Sequence, residues 1–178
     1  MHTPTPKDTM TNAMYLGSVP VLKQMLGSLS GLLTKAAEHA AARKIEPDAL
    51  LQARLFPDMF PLLQQVRVAC EFAQGIAARL AGVEVPGTEP GEPSFADLQA
   101  RVAKTLAFVD SLSPEQFEGS AARDIVLRPG TPKEKRLSGQ TYLLNYGLPQ
   151  FFFHVTTAYA LLRHNGVEVG KKDYMGSY

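Results

Sequence analysis

The chain has 178 residues, with 18 lysines and arginines against 17 aspartates and glutamates, which leaves a formal charge of +1. This length suits one domain, and the balanced charge argues against the concentrated basic face that nucleic-acid binding requires. Cys70 is the only cysteine, which excludes an intramolecular disulfide and a cysteine-based metal cluster. With no apolar run of about 20 residues and no secretory signal, we expect a single cytoplasmic domain over residues 1–178 that has no membrane partner.

The first half of the chain predicts two long helices. Residues 1–12 contain two prolines and an aspartate and are predicted to form a loose arm. Apolar residues then recur at steps of three and four over residues 18–43, which is typical of an amphipathic helix. After a short helical piece at 48–55, a second long helix is predicted over 58–81, with Asp58 as its cap and Gly82 at its end.

The second half predicts two more long helices separated by a small insert. Residues 83–93 are rich in proline and glycine and are predicted to be a surface linker between helices. Ser94 and Asp97 have the spacing of a capping box, so the third helix is predicted over 94–112. Residues 123–137 alternate and contain a Pro-Gly turn, which indicates a hairpin or an irregular insert. Its basic cluster is interpreted as a solvated loop, and it comprises Lys133, Lys135 and Arg136.

The last helix is predicted over residues 140–164, bent or broken between Gly147 and Pro149 because proline removes an amide donor. Four long amphipathic helices predict an all-α, antiparallel four-helix bundle. Burying a polar side chain without a partner is costly, so polar residues on apolar stripes are the candidate site. Gln65 interrupts the stripe of the second helix, and Gln150 and His154 share one face of the last. The alternative is that His154 is a core histidine bonded to a carbonyl or to Gln65.

The chain also resembles a known family. The segments PDMFPL at 57–62 and FHVTTAYALLRHNG at 153–166 are similar to a branch of the DinB-like four-helix-bundle superfamily that is known only as a domain of unknown function. The resemblance extends from Tyr15 to Tyr174, and it implies a bundle that is commonly dimeric.

The resemblance also implies a site. Better-known DinB-like proteins hold a divalent metal with three histidines, and some use it in thiol-dependent transferase or isomerase reactions. The matching positions here are Gln65, Gln150 and His154, so His154 is the one candidate metal ligand of that kind, and Gln65 and Gln150 replace the other two histidines. A glutamine carbonyl is a weak ligand for zinc or nickel. We therefore expect no tightly bound cofactor, although weak or labile zinc or nickel binding stays open.

Three hypotheses for the function follow. The first is a small-ligand-binding or otherwise non-catalytic domain with a degraded metal site, forming a homodimer. The second is an enzyme in which His154 acts as a general base or holds a labile metal, as in a metal-dependent thiol transferase or isomerase. The third is a structural dimerisation module that uses the aromatic residues 151–153. A further metal-ligating side chain near His154 would favour the second hypothesis. The candidates in the first two long helices are His39, Asp58 and Glu71.

Overall fold

The protein is described by a computed structural model that covers residues 13–87 and 94–178. Four long helices form an antiparallel bundle, as predicted: α1 (Val19–Arg43), α3 (Leu62–Ala81), α4 (Phe95–Asp110) and α6 (Leu148–His164). The short helix α2 (Pro47–Leu51) follows α1. Helix α3 packs most extensively against α6, and α1 packs against α4. The core lies between these helices, where leucine and alanine side chains are fully buried.

Smaller elements connect α4 to α6. Two 3₁₀ turns, Pro114–Phe117 and Ser120–Ala122, lead into the antiparallel strands β1 (Asp124–Leu127) and β2 (Lys135–Ser138). The single turn α5 (Gly139–Thr141) and a π-helical segment, Tyr142–Gly147, then run directly into α6, and α7 (Lys171–Met175) ends the fold. None of the helices within the described ranges is long and apolar enough to cross a membrane.

The second long helix begins later than the sequence predicts. It starts at Leu62, after Pro61 in the N-cap position, whereas Asp58 is exposed in a preceding turn and does not cap it. The Leu62 amide donates a hydrogen bond to the Ala53 carbonyl at 3.0 Å. This bond closes residues 53–62 into a loop. The residues directly after Asp58 therefore belong to the loop and not to the helix. The predicted arm at 1–12 and most of the predicted linker, residues 88–93, lie outside the described residues.

The last helical segment is continuous through Gly147 and Pro149. Its π-helical stretch, Tyr142–Gly147, runs directly into α6, and Pro149, which has no amide hydrogen to donate to the preceding turn, lies two residues after that stretch. A Cβ atom on Gly147 would lie 2.7 Å from the side chain of Ile76. Glycine at this position therefore allows the π-helical segment to approach α3 closely.

The hairpin of β1 and β2 is fastened to the C-terminal end of α3. The Arg123 guanidinium, just before β1, donates a hydrogen bond to the carbonyl of Leu80 in the last turn of α3. A cation at this end of a helix also complements the negative end of its dipole. The Gly139 amide, just after β2, donates to the Arg123 carbonyl at 2.8 Å. These contacts hold the hairpin beside α3 and the π-helical segment.

Substituting Gly139→Ala should destabilise the protein. A Cβ atom on Gly139 would lie 1.8 Å from the Ser120 carbonyl oxygen, a backbone atom that cannot rotate away. We expect urea unfolding to show a loss of about 3 kcal/mol, the upper end of the usual cost of overpacking. The control is Gly27→Ala in α1, where an added Cβ meets nothing within 4 Å and where alanine should be neutral or stabilising. Equal stability of the two variants would contradict the close contact.

Candidate functional site

A buried hydrogen bond joins the two central helices of the candidate site. The Nδ1 atom of His154 on α6 lies 2.7 Å from Oε1 of Gln65 on α3. Gln65 is 1 % exposed and His154 is 6 % exposed, so both polar groups are almost entirely removed from water. The structure therefore brings together two of the three predicted site residues, and each supplies the partner that the other needs.

The surroundings of Gln65 determine which nitrogen of His154 carries the proton. The Gln65 amide nitrogen donates to the Phe60 carbonyl at 3.2 Å, which turns its oxygen towards His154. An amide oxygen only accepts hydrogen bonds, so His154 Nδ1 must carry a hydrogen and donate it. In the neutral imidazole, Nε2 then keeps a lone pair. This is the tautomer that a base or a metal ligand requires at Nε2.

Aromatic rings enclose the imidazole of His154. Phe72 of α3 stacks on it at 5.8 Å between ring centroids, with an interplanar angle of 16°, and Phe153 meets it edge-on at 5.2 Å. Burial lowers the pKa of His154 from its ordinary value of 6.5, because removal from water penalises the imidazolium. His154 is therefore neutral at pH 7.

Gln150, the third predicted residue, lies one turn before His154 on the same face of α6. It is half-buried, and no hydrogen bond links it to Gln65 or His154 within the described ranges. Instead it lines a cavity of about 180 Å³ beneath the hairpin, together with Tyr146, Leu127, Arg128, Lys133 and Lys135. A second cavity of about 200 Å³ adjoins it and shares Leu127, Arg128 and Tyr146, its other lining residues being Glu71, Phe72, Arg79 and Tyr142. We call these two cavities the hairpin cleft.

The hairpin cleft contains residues that sequence reasoning missed. Lys133 and Lys135 are solvent-exposed, as the interpretation of a solvated loop expects, but they also line the cleft, and Arg79 and Arg128 are the residues that the sequence does not single out. For Lys135 the available signal is the strand alternation, because it pairs with Leu127 and so lies on the same face of the hairpin as that buried residue. The cleft is connected to His154 through Phe72, which lines the cleft and also stacks on the imidazole.

The donor set around His154 does not fit the metal that the family resemblance implies. Gln65 Oε1 already accepts the hydrogen bond of His154 Nδ1, and neutral amides contribute no negative charge to hold a cation. Across residues 13–87 and 94–178, no three His, Cys, Asp or Glu side chains form a group that could bind a metal ion. Asp58 is exposed and Glu71 lines the hairpin cleft, while His39 is half-buried in α1.

Two other features lie apart from this site. Cys70 is fully buried, and burial raises its pKa to about 11, so its thiol is not a nucleophile at neutral pH. A larger cavity of about 990 Å³ lies between α1 and the C-terminal residues, and none of the candidate residues lines it. Neither feature therefore belongs to the site formed by Gln65, His154 and the hairpin cleft.

Comparisons with known proteins agree with this architecture. Residues 14–175 match the family model described as Domain of unknown function (DUF1993). A crystal structure of a DinB family member protein from Shewanella denitrificans is similar over 96 % of each chain, with 36 % sequence identity and a TM-score of 0.89. No curated protein sequence matches. The chain therefore belongs to the DUF1993 family, a branch of the DinB-like four-helix-bundle superfamily.

Proposed function

We propose that this protein is a small-ligand-binding member of the DinB-like bundles in which a glutamine–histidine pair occupies the place of a metal centre. The observation that carries the proposal is the 2.7 Å hydrogen bond between Gln65 and His154, with the Gln65 amide oriented by the Phe60 carbonyl. The Phe60 carbonyl, the Gln65 amide and the His154 imidazole are neutral, and their hydrogen bonds leave only Nε2 of His154 without a partner among them. The pair thus needs no cation to complete it.

The position of the hairpin cleft supports ligand binding at this end of the bundle. Sites in helical bundles are built between facing helices from a few polar groups and an apolar wall. Here Gln150, one turn from His154, supplies a polar group, and Phe72 and Tyr146 supply aromatic walls. The two cavities of about 200 and 180 Å³ suit a small molecule.

The first test restores the histidines that the family resemblance implies. The double variant Gln65→His/Gln150→His should bind zinc or nickel at micromolar concentrations, because three imidazoles then replace one imidazole and two amides. Elemental analysis and isothermal titration with zinc and nickel should show almost no binding by the parent protein.

The matched control is the double variant Gln64→His/Gln150→His, which adds the same two histidines but places one of them a residue earlier on α3. Consecutive helical residues point in different directions, so this control should bind metal much more weakly than the test variant. Stoichiometric binding of zinc or nickel by the parent protein at micromolar free metal would overturn the proposed function.

A second candidate function is favoured by the tautomer of His154. An imidazole that donates from Nδ1 to a fixed acceptor keeps its Nε2 lone pair oriented, as in the histidines of general-base sites. Burial lowers the pKa of His154, so the base form is present at pH 7. The alternative is therefore a metal-independent enzyme that uses His154 as its base.

The state of His154 has a measurable consequence for stability. Its pKa is lower in the folded protein than the ordinary 6.5, so the unfolded chain binds a proton that the folded protein excludes. The free energy of unfolding should therefore fall as the pH drops below about 6.5. Urea unfolding between pH 7.5 and pH 5 should show a larger loss for the parent than for His154→Gln.

The variant Gln65→Glu provides the complementary measurement. A carboxylate beside Nδ1 stabilises the imidazolium and raises the pKa of His154, so the loss of stability at low pH should become smaller. Identical pH dependence in the parent and His154→Gln would contradict a neutral, buried His154.

We also propose that the protein forms a homodimer in the cytoplasm, through a face next to the site. Phe60 and Phe153 are 51 % and 54 % exposed, and both adjoin the Gln65–His154 pair through contacts already described. Exposed phenylalanines of this kind are common at the centre of symmetric interfaces. A structural dimerisation module, the third hypothesis, could expose only Phe153 of the aromatic residues 151–153 fully to a partner, because Phe151 is buried and Phe152 is partly buried.

Light scattering at micromolar concentration tests the dimer. The parent protein should have twice the mass of one chain, and Phe153→Glu should reduce it to one, because a buried unpaired carboxylate would oppose association. Leu16→Glu is the control, since Leu16 is equally exposed at 54 % but lies before α1; this variant should stay dimeric. A single-chain mass for the parent would contradict the proposal.

A further inference from the structure

The hairpin cleft is strongly cationic in a protein whose formal charge is only +1. Four basic side chains line its two cavities, Arg79, Arg128, Lys133 and Lys135, against one carboxylate, Glu71. None of the four forms an ion pair with any carboxylate in the part of the chain that the structure describes. Positive charge without a protein counter-charge at a cavity is the arrangement expected of a site for an anion.

Basic side chains with and without a carboxylate partner lie on opposite faces of the hairpin. Arg136 of β2 is held by Asp124 and Glu134, both at 3.1 Å. Lys135, the preceding residue, lies on the opposite face of the strand, across from the buried Leu127, and lines the cleft without a carboxylate partner. Adjacent basic residues on one strand therefore have different surroundings, and only the cleft face lacks a counter-charge.

The two arginines of the cleft are placed by the backbone and by neighbouring rings. Arg128 follows β1 in the left-handed conformation, with φ of 51°, which is uncommon for residues other than glycine. Arg79 is half-buried, donates to the Tyr142 hydroxyl at 3.3 Å and lies 5.9 Å from the centre of that ring. A Cβ atom on Gly75 would lie 2.3 Å from the Arg79 guanidinium. Arg79 is thus held in place by Tyr142 and accommodated by Gly75.

We infer that the hairpin cleft binds a small organic anion, with its carboxylate or phosphate group between Arg79 and Arg128 and its apolar body against Tyr142, Tyr146 and Phe72. Arginine binds either group through two parallel hydrogen bonds, which makes the guanidinium pair the specific element and the lysines a general attraction. Gln150 is placed to contact the polar part of the ligand in the adjoining cavity. This inference rests on the proposed small-ligand function and specifies the class of ligand.

The experiment measures binding of three probes to the full chain by isothermal titration and amide NMR at low ionic strength. The probes are phenyl phosphate, benzoate and benzamide, which share a ring and differ in the charged group. Phenyl phosphate and benzoate should bind, and benzamide should bind at least tenfold more weakly. Arg128→Gln should weaken phenyl phosphate binding about tenfold, the usual worth of a charge-assisted hydrogen bond.

The matched control is Arg136→Gln, which removes the same charge from the other face of the hairpin and should change the affinity less than twofold. Arg79→Gln should also weaken binding about tenfold, and an unchanged urea unfolding midpoint would show that the variant is folded. Equal losses of affinity in Arg128→Gln and Arg136→Gln would overturn the inference. So would a lack of binding of both anions at concentrations up to about 10 mM, the range in which weak ligands bind. If benzamide bound as tightly as benzoate, the inference of an anionic ligand would be wrong and the proposed small-ligand function would still stand. Stoichiometric metal binding by the parent protein would overturn the proposed function and leave the anion-binding result unchanged.

Discussion

The hydrogen bond between Gln65 and His154 constrains everything at this end of the bundle. A buried imidazole and a buried amide each lose several hydrogen bonds to water on folding, and an unmet partner would cost about 1–3 kcal/mol. Here the Phe60 carbonyl satisfies the amide nitrogen, the amide oxygen satisfies Nδ1, and α3 and α6 are held in one register. Any chemistry at the site must therefore begin from a neutral imidazole whose one free nitrogen is Nε2.

In the proposed function, the same bond lets a DinB-like bundle do without the three histidines that the family resemblance implies. Three imidazoles facing one another would require a cation, because their lone pairs would otherwise lack partners. Two amides and one imidazole can instead bond among themselves or to nearby carbonyls. On the proposals made above, the adjoining space then takes a molecule recognised by the basic side chains beneath the hairpin in place of a cation.

Periodicity and capping were sufficient to predict α1, α4 and the hairpin, since Ser94 does accept a hydrogen bond from the Asp97 amide at 3.0 Å. The start of α3 could not be predicted, because the bond from Leu62 to Ala53 spans a loop whose closure depends on tertiary packing. Gln65 and His154 followed from their interruption of apolar stripes. Arg79 and Arg128 could not be predicted from the sequence. Residues from α3, β1 and the π-helical segment line one cavity only because the hairpin is placed beside the two helical elements.

The π-helical segment, Tyr142–Gly147, has a consequence for how the family can tolerate changes in length. A π-helical turn holds one residue more than an α-helical turn, so it behaves as a single-residue insertion absorbed within the helix. Deleting one residue there would leave an unbroken α-helix whose parts before and after the deletion keep their faces, because only the absorbed residue is lost. Tyr142 and the root of the hairpin would then keep their position relative to Gln150 and His154. A change of one residue in the length of this segment is therefore compatible with the cleft, whereas the same deletion in the α-helical part of α6 would turn its two parts by about 100° relative to each other.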